Sequence, residues 1–365
     1  MSSIVGRRFI FASLALTIII AVSQLSGRVY AQTTPAVPVS SASALPAPWV
    51  AQDIGNPAPS GSAAFSDNRF EISASGTGDS GDTDQLRFVY QMLSDDVRIA
   101  ARIDSLMPAQ PSSKVGLMIR GSLQPDAVQA SVLMSGDGQL AFQQRKQAGG
   151  LTATSIGISR GTVPQWLGLE RRGTRVVAYS SSDGQTWAVI GSDWIALGAT
   201  VYVGLAVSSQ DPTESTSAQM SQVLASGLPV GQRQRDIGWY VSGSGSQTQG
   251  TYSIKSRNGA VTISDTQDRL HFVYQSMQGD LEVVAHVASV NSINPGAEAG
   301  VMIRESLRSD SRHAFALITA GNGYAFDRRI ESALLNEHAD GGAGAIPGWV
   351  RLVRHGTKLR VVSIG

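Results

Sequence analysis

The chain has 365 residues, of which 42% are hydrophobic and 16% charged, and its formal net charge is +1. This length allows two or three domains, and the near-neutral charge gives no electrostatic reason to expect nucleic acid or an acidic membrane as a partner. The chain contains no cysteine, which excludes disulfides, thiolate metal ligands and cysteine nucleophiles. Its 39 glycines favour a turn-rich β protein.

The N-terminus has the pattern of an export signal. Arg7 and Arg8 precede an apolar stretch at 9–22 that is short for a membrane-spanning helix. Residues 29–31, Val-Tyr-Ala, resemble a small-residue cleavage site. Residues 1–31 are therefore predicted to be a signal peptide, with no transmembrane span after cleavage; an uncleaved anchor is the alternative. Export of a chain without cysteine indicates a bacterial envelope or extracellular location.

The chain repeats itself internally. The sequence LRFVYQ at 86–91 returns as LHFVYQ at 270–275, displaced by 184 positions (270 − 86). The sequence GLMIR at 116–120 answers to GVMIR at 300–304 at the same displacement. Repeats of solenoid proteins are only a few tens of residues long, so a repeat of this length indicates a duplicated domain.

Composition and the repeat together divide the chain. Residues 32–48 are mostly Pro, Ala, Ser and Thr without charge, which is typical of a flexible linker. Two tandem domains are predicted at 49–227 and 236–365, joined by a linker at 228–235. The second copy ends before the counterpart of the apolar stretch at 201–207, so we expect it to lack its last strands and the chain to be a fragment of a longer protein.

The apolar residues alternate with a period of two, which predicts strands with one buried face. Leu86, Phe88 and Tyr90 share one face of a strand, and we expect Phe88 and Tyr90 to pack inward. Turn signals such as Asp95-Asp96 separate the short strands. The predicted fold class is all-β: two tandem antiparallel β-sandwiches, the second incomplete.

An ordered set of motifs resembles a family. The set comprises Asp84, the sequence at 86–91, Asp96, GLMIR at 116–120, SDGQTW at 182–187 and VGLAV at 203–207. Together these resemble a concanavalin A-like lectin/glucanase domain, and more narrowly the branch found as C-terminal modules of β-xylosidases and as repeated modules in large secreted bacterial proteins. The resemblance implies a two-sheet jelly roll that associates with carbohydrate, usually beside another domain that performs the chemistry.

The two copies can be compared to judge catalytic candidates. All five histidines lie in the second copy, so a histidine-centred site is not a shared property of the two domains. Glycoside hydrolysis needs two carboxylates at a defined separation, and the Glu-x-Asp-x-x-Glu strand of the active glucanases in the family is absent. No catalytic residue is predicted.

Arginine and aspartate recur at matching positions in both copies and form the set of candidate ligand-binding residues. The set consists of Asp84, Asp96, Arg120, Arg145 and Arg171 in the first copy, and of Asp268, Asp280, Arg304, Arg329 and Arg354 in the second. One interpretation is structural pairing of the arginines with the aspartates, because a buried arginine needs a partner. The other is a sugar-facing row on a concave sheet, where guanidinium donors suit hydroxyls or carboxylates.

A calcium site is a weaker candidate. Asp79, Asp82 and Asp84 lie among three glycines, which would place hard oxygen ligands on a flexible loop. A solvated turn rich in Asp and Gly is the alternative. No other cofactor is expected.

The sequence therefore predicts a secreted, non-catalytic, carbohydrate-associated pair of modules that belongs to a larger extracellular or cell-surface protein. The expected partner is a polysaccharide or cell-wall glycan, with further domains C-terminal to residue 365. One alternative is a structural or adhesive spacer without glycan binding, and another is a glycoside hydrolase.

Overall fold

A computed structural model describes residues 16–18 and 44–364, apart from 80, 249, 258–261, 265, 293 and 322. All the regular secondary structure in these ranges is β-strand, so the all-β prediction is confirmed. The chain forms two compact units, Val29–Val230 and Gly231–Gly365 together with Met1–Arg28. No helix among the described residues is long and apolar enough to cross a membrane. The signal-peptide prediction for 1–31 lies outside the described residues except for 16–18.

The first strand, β1, covers Leu16–Ile18. The strands of the unit Val29–Val230 follow it in chain order: β2 (Val50–Ile54), β3 (Ser62–Ser66), β4 (Arg69–Gly76), β5 (Leu86–Met107), β6 (Lys114–Arg120), β7 (Gln129–Ser135), β8 (Gln139–Arg145), β9 (Ala153–Arg160), β10 (Gln165–Arg172), β11 (Arg175–Ser181), β12 (Ala188–Trp194), β13 (Thr200–Ser208) and β14 (Asp211–Leu228).

This unit is a two-layer antiparallel sandwich, and the long strand β5 belongs to both layers. Its first part pairs with β2 and β13, which leads on through β6, β7 and β8 to β9; we call this layer the front sheet. Its second part pairs with β10 and β14, in a layer that also contains β11, β12, β4 and β3; we call this layer the back sheet.

Alternation along each strand divides its side chains between two faces. On β6, Val115, Leu117 and Ile119 join the core between the two sheets. Met118, on the opposite face, joins a second apolar cluster with Phe88 and Tyr90. The expectation that Phe88 and Tyr90 pack inward therefore needs correcting: both are buried, but on the outer face of the front sheet.

Two chain segments cover the outer face of the front sheet, and strands such as β6 therefore have buried side chains on both faces. The segments are 77–85 and 121–127. The Asp84 amide in the first donates to the Pro125 carbonyl in the second at 2.9 Å. Gly116 lies under this cover, and a Cβ at this position would come within 2.1 Å of the Val132 carbonyl oxygen on β7. The close approach of the two strands therefore requires glycine.

The strands of the second unit are β15 (Arg233–Ile237), β16 (Ser242–Thr248), β17 (Thr251–Arg257), β18 (Thr262–Ser264), β19 (Gln267–Met277), β20 (Leu281–Val287), β21 (Glu298–Arg304), β22 (His313–Thr319), β23 (Gly323–Arg329), β24 (Glu337–Gly342), β25 (Gly348–His355) and β26 (Lys358–Ile364). β15 begins inside the segment interpreted as a linker at 228–235, because it pairs with β19 along its whole length.

One sheet of this unit runs in the order β15-β19-β1-β21-β22-β23-β24, and a three-stranded sheet runs β20-β25-β26. The core between them contains Val301 and Ile303 from β21 together with Val283 and Leu352 from the smaller sheet. The strand β1 lies between β19 and β21 and pairs with both. In the other unit, β13 lies between β5 and β6 in the same way. Strands β21 to β24 each begin 184 positions after β6 to β9, respectively.

Candidate functional site

The shared arginines and aspartates meet in a buried charge cluster. In the unit Val29–Val230, Arg120 Nη1 lies 3.1 Å from Asp84 Oδ2, and Arg145 Nη2 lies 2.6 Å from Asp84 Oδ1. All three side chains are fully buried. The two guanidiniums lie against the outer face of the front sheet, at the ends of β6 and β8, and the aspartate lies in the covering segment 77–85.

The remaining guanidinium donors hold the surrounding loops. Arg120 Nε donates to the Ser122 carbonyl at 2.7 Å, and Arg145 Nε donates to the Gly150 carbonyl at 2.8 Å. Arg145 Nη1 also donates to the carbonyls of Pro125 and Ala127. Buried charges are tolerated when they are paired and hydrogen-bonded in this way. The cluster therefore anchors the covering segments to the sheet.

The second unit contains the same cluster with a histidine added. Arg304 Nη1 lies 3.1 Å from Asp268 Oδ2, and Arg329 Nη2 lies 2.8 Å from Asp268 Oδ1. His313 Nδ1 lies 3.5 Å from Asp268 Oδ2. Burial lowers the pKa of His313 to about 4, and the two neighbouring guanidiniums contribute to that lowering. His313 is therefore neutral at physiological pH.

The structure thus favours the structural interpretation for six of the ten candidate ligand-binding residues. Asp84, Arg120 and Arg145, and their counterparts Asp268, Arg304 and Arg329, have no exposed surface with which to contact a ligand. Sequence matching identified which residues recur, but it could not show that the loops between the strands fold back over them.

The other four candidates hold turns. Asp96 Oδ1 accepts the Gly173 amide at 2.7 Å, and Arg171 Nε donates to the Gly173 carbonyl at 2.8 Å, so one tight turn is held from both sides. In the second unit, Asp280 accepts the Gly356 amide at 2.6 Å and Arg354 donates to the Gly356 carbonyl at 2.9 Å. Backbone contacts of this kind explain the recurrence without a ligand.

The proposed calcium ligands do not converge. Asp79 lies 3.1 Å from Lys114 Nζ, and Asp84 is paired with two arginines as described above. Asp82 is exposed. Among the residues that the structure describes, no three histidine, aspartate or glutamate side chains are grouped so that they could hold a metal ion. The lysine and arginine partners supply the positive charge that calcium would have supplied.

A connected chain of polar side chains crosses the outer face of the front sheet, and sequence reasoning missed it. Lys114 Nζ donates to Asp79 Oδ1 at 3.1 Å and to Gln143 Oε1 at 2.9 Å. Ser131 Oγ donates to Asp79 Oδ2 at 2.9 Å, and Gln143 Nε2 donates to Thr154 Oγ1 at 3.0 Å. We call these five residues the polar row. It runs from the buried Asp79 to the exposed Thr154.

The second unit carries different chemistry at three matching positions of the row. Glu298, Asp327 and His338 stand 184 positions after Lys114, Gln143 and Thr154. We call these three residues the acidic row. They lie at matching places on β21, β23 and β24. His338 Nδ1 lies 2.6 Å from Asp327 Oδ1, and His338 Nε2 lies 3.2 Å from Asp340 Oδ1.

The acidic row has perturbed protonation. Burial raises the pKa of Glu298 to about 7, and the neighbouring Asp327 carboxylate adds to the rise. Burial also raises the pKa of Asp327, against the effect of His338. The hydrogen bond to Asp327 raises the pKa of His338. The buried oxygen Oε2 of Glu298 has no hydrogen-bond partner among the described residues, as expected of a carboxyl that is protonated near neutral pH.

A signal for both rows was present in the sequence. The 184-position displacement pairs Lys114 with Glu298, Gln143 with Asp327 and Thr154 with His338. Identity between the copies does not mark these positions, because the residues face the same way but differ in chemistry.

No protein-family model and no curated protein matches this chain. Among solved structures, the carbohydrate-binding module CBM66 from Bacillus subtilis is 13% identical, covering 48% of this chain and 94% of its own, with a TM-score of 0.35. The exoplasmic/lumenal domain of VIP36, bound to Ca²⁺ and Man3GlcNAc, is 9% identical, covering 47% of this chain and 81% of its own, with a TM-score of 0.32.

The alginate lyase from Klebsiella pneumoniae is 12% identical, covering 45% of this chain and 83% of its own, with a TM-score of 0.31. These structural neighbours have the concanavalin A-like fold. They include proteins that bind carbohydrate and an enzyme, and all the TM-scores lie under 0.5. The likeness concerns the fold and does not extend to the ligand or the activity of this chain.

Proposed function

We propose that this chain is a secreted, non-catalytic glycan-binding protein made of two tandem β-sandwich modules. In this proposal the exposed end of the polar row, formed by Thr154 and the partly buried Lys114 on the outer face of the front sheet, is the binding site of the first module. The acidic row is the corresponding site of the second. The partner is a polysaccharide or cell-wall glycan at the exterior of a bacterial cell.

The observation that carries the proposal is the set of hydrogen-bonding groups left over along the polar row. Thr154 Oγ1 accepts from Gln143, and among the described residues its own hydroxyl proton has no acceptor, so it is available to a ligand. Lys114 has three N–H donors, of which two are directed to Asp79 and Gln143. Side chains held in place by one another, with spare donors at the exposed end, suit the closely spaced hydroxyls of a sugar.

The experiment is a binding screen of the full chain against immobilised neutral and acidic polysaccharides. Thr154→Val removes the free hydroxyl at an exposed position while keeping the shape of the side chain. Because a neutral hydrogen bond is worth about 0.5–1.5 kcal/mol, affinity should fall roughly 2- to 13-fold. Thr162→Val, at an exposed loop position, is the matched control and should bind like the unchanged chain.

Two results would argue against the proposal. If no glycan is retained, the alternative of a structural spacer is favoured. If Thr154→Val binds as well as the unchanged chain, the polar row is not the site even though the chain is a glycan binder.

A glycoside hydrolase is the second candidate, and the acidic row is the specific observation in its favour. A carboxyl protonated near neutral pH beside a second carboxyl is the pairing that glycosidases use. Release of reducing ends from a polysaccharide, abolished in Glu298→Gln, would support this candidate. Binding without any release supports the non-catalytic proposal.

A further inference from the structure

The outer face of the back sheet carries a cavity that is separate from the polar row. The cavity has a volume of about 240 Å³ and lies within the unit Val29–Val230. It is lined by Glu170, Arg172, Arg175, Val177 and Tyr179. These residues come from the adjacent strands β10 and β11, which turn into each other at Gly173.

The strand period explains why these side chains face away from the core. Leu167 and Leu169 on β10 and Val176 and Ala178 on β11 are all buried between the two sheets. The alternate positions on both strands must then face outward.

The charges around the cavity are predominantly positive. Arg98, on the neighbouring strand β5, stands opposite Glu170 in the strand register. The guanidinium of Arg172 is hydrogen-bonded to the Glu170 carboxylate. Arg98 and Arg175 have no carboxylate within ion-pair distance in the described part of the chain, whereas Arg172 interacts with both Glu170 and Asp96. Three guanidiniums therefore face two carboxylates.

One aromatic ring lines the cavity, and a second lies beside the lining residue Arg175. Tyr179 forms part of its lining, and Trp194, opposite Arg175 in the strand register, is 67% exposed. The Arg175 guanidinium carbon lies 5.9 Å from the centroid of the Trp194 ring. A tryptophan exposed to this degree is costly to hydrate, and with an arginine on it the ring forms a platform for an amphipathic ligand.

We propose that this cavity binds one residue of an acidic saccharide, with its carboxylate or sulfate on Arg175 and Arg98 and the apolar face of its ring on Trp194. A planar guanidinium suits the two oxygens of a carboxylate or sulfate. The volume is below the roughly 300–1,000 Å³ of pockets for drug-sized ligands, which fits a single sugar ring. A single-stranded nucleic acid instead needs a basic groove with successive stacking rings.

The second unit provides an internal comparison. The positions that match Arg98 and Glu170 are Glu282 and Val353, which face each other in the same register between β20 and β25. Glu282 is paired with Arg351 at 2.9 Å. The matching face of the second unit also carries Lys358 and Arg360. Glu282 takes the place of Arg98 there, so the pair of arginines that would hold the acidic group is a feature of the first unit.

The test uses the full chain and four probes in solution, measured by calorimetry. The probes are a galacturonate oligomer, a sulfated galactose oligomer, a neutral galactose oligomer and an oligo(dT). Arg175→Gln and Trp194→Ala change exposed side chains, so neither should unfold the protein. Arg233→Gln, at an exposed position on β15, is the matched control.

We expect the acidic saccharides to bind at least about tenfold more tightly than the neutral one, and each of the two variants to weaken acidic binding at least about tenfold. The control should leave binding unchanged, and higher salt should weaken it. Equal binding of neutral and acidic oligomers, no binding of either acidic oligomer, or acidic binding that survives Arg175→Gln would each overturn the proposal. Tighter binding of oligo(dT) that is lost in Arg175→Gln would replace it with a nucleic-acid site.

This test does not depend on the polar row. Thr154→Val should leave acidic binding at the cavity unaffected, since Thr154 lies on β9 of the other sheet. Failure at one site can therefore be told apart from failure at the other.

Discussion

Replacing Asp84 by Asn tests whether the buried cluster holds the covering segments in place. The substitution keeps the size of the side chain but removes the negative charge that lies within 3.1 Å of both guanidiniums. Arg120 and Arg145 would then be two fully buried positive charges with no carboxylate between them. Removing one partner of a buried ion pair costs about 3–5 kcal/mol. Because a domain is stable by only about 5–15 kcal/mol, this loss is a large fraction of the total.

The assay is urea unfolding of the full chain, followed by tryptophan fluorescence. Four of the six tryptophans lie in the unit Val29–Val230, so its transition dominates the signal. Asp84→Asn should lower the free energy of unfolding of that unit by about 3–5 kcal/mol. Asp82→Asn, an exposed neighbour in the same segment, is the control and should change it by less than about 0.5 kcal/mol. A loss below about 1 kcal/mol for Asp84→Asn would refute the structural role.

Two further predictions concern stability. Because the folded-state pKa of Glu298 is raised from 4.5 to about 7, the folded protein binds the extra proton and loses stability as pH rises through this range. In urea unfolding, Glu298→Gln should therefore have the same midpoint as the unchanged chain near pH 4.5 and a higher midpoint near pH 8. The exposed control Glu282→Gln should not gain in midpoint between these pH values. Equal midpoints of Glu298→Gln and the unchanged chain at pH 8 would contradict the raised pKa of Glu298. Gly116→Ala should lower the free energy of unfolding by about 2–3 kcal/mol, because its Cβ would overlap the carbonyl oxygen of the neighbouring strand. Gly121→Ala, where the nearest atom would be 3.4 Å from the new Cβ, should be close to neutral in the same urea titration.

Much of the architecture could be predicted from local pattern. The period-two alternation of apolar residues predicted strands with a buried face, and Val97, Ile99, Ala101 and Ile103 on β5 form such a face in the core. Such a pattern is readable because successive side chains of a strand point to opposite sides, and burial selects apolar residues on one of them. The displacement of 184 likewise recurs in the bounds of individual strands, such as β6 and β21. The prediction of two tandem domains rests on that recurrence and stays a prediction.

The candidate site was much less accessible to sequence reasoning. Arg120 recurs in both copies, which would suit a ligand contact or an internal partner equally well. Its partner Asp84 is 36 positions away (120 − 84) and reaches it only because the segment 77–85 folds across the sheet. The polar row also depends on contacts between distant parts of the chain, since Asp79 and Ser131 are 52 residues apart in sequence and are hydrogen-bonded to each other.

The amino-acid sequence by itself determined most of the strands and which residues share a face. The turn expected at Asp95-Asp96 was wrong, because both residues lie within the single long strand β5. It could not determine which faces the loops cover, and the front sheet, with apolar clusters on both sides, shows the consequence for Phe88 and Tyr90. Only the tertiary structure decided that Arg120, Arg145 and their counterparts are buried anchors, that the polar row reaches the surface at Thr154, and that Arg175 of the cavity lies over the Trp194 ring. The physical reason is that alternation is local to a strand, whereas burial and charge pairing depend on contacts between segments far apart in the chain.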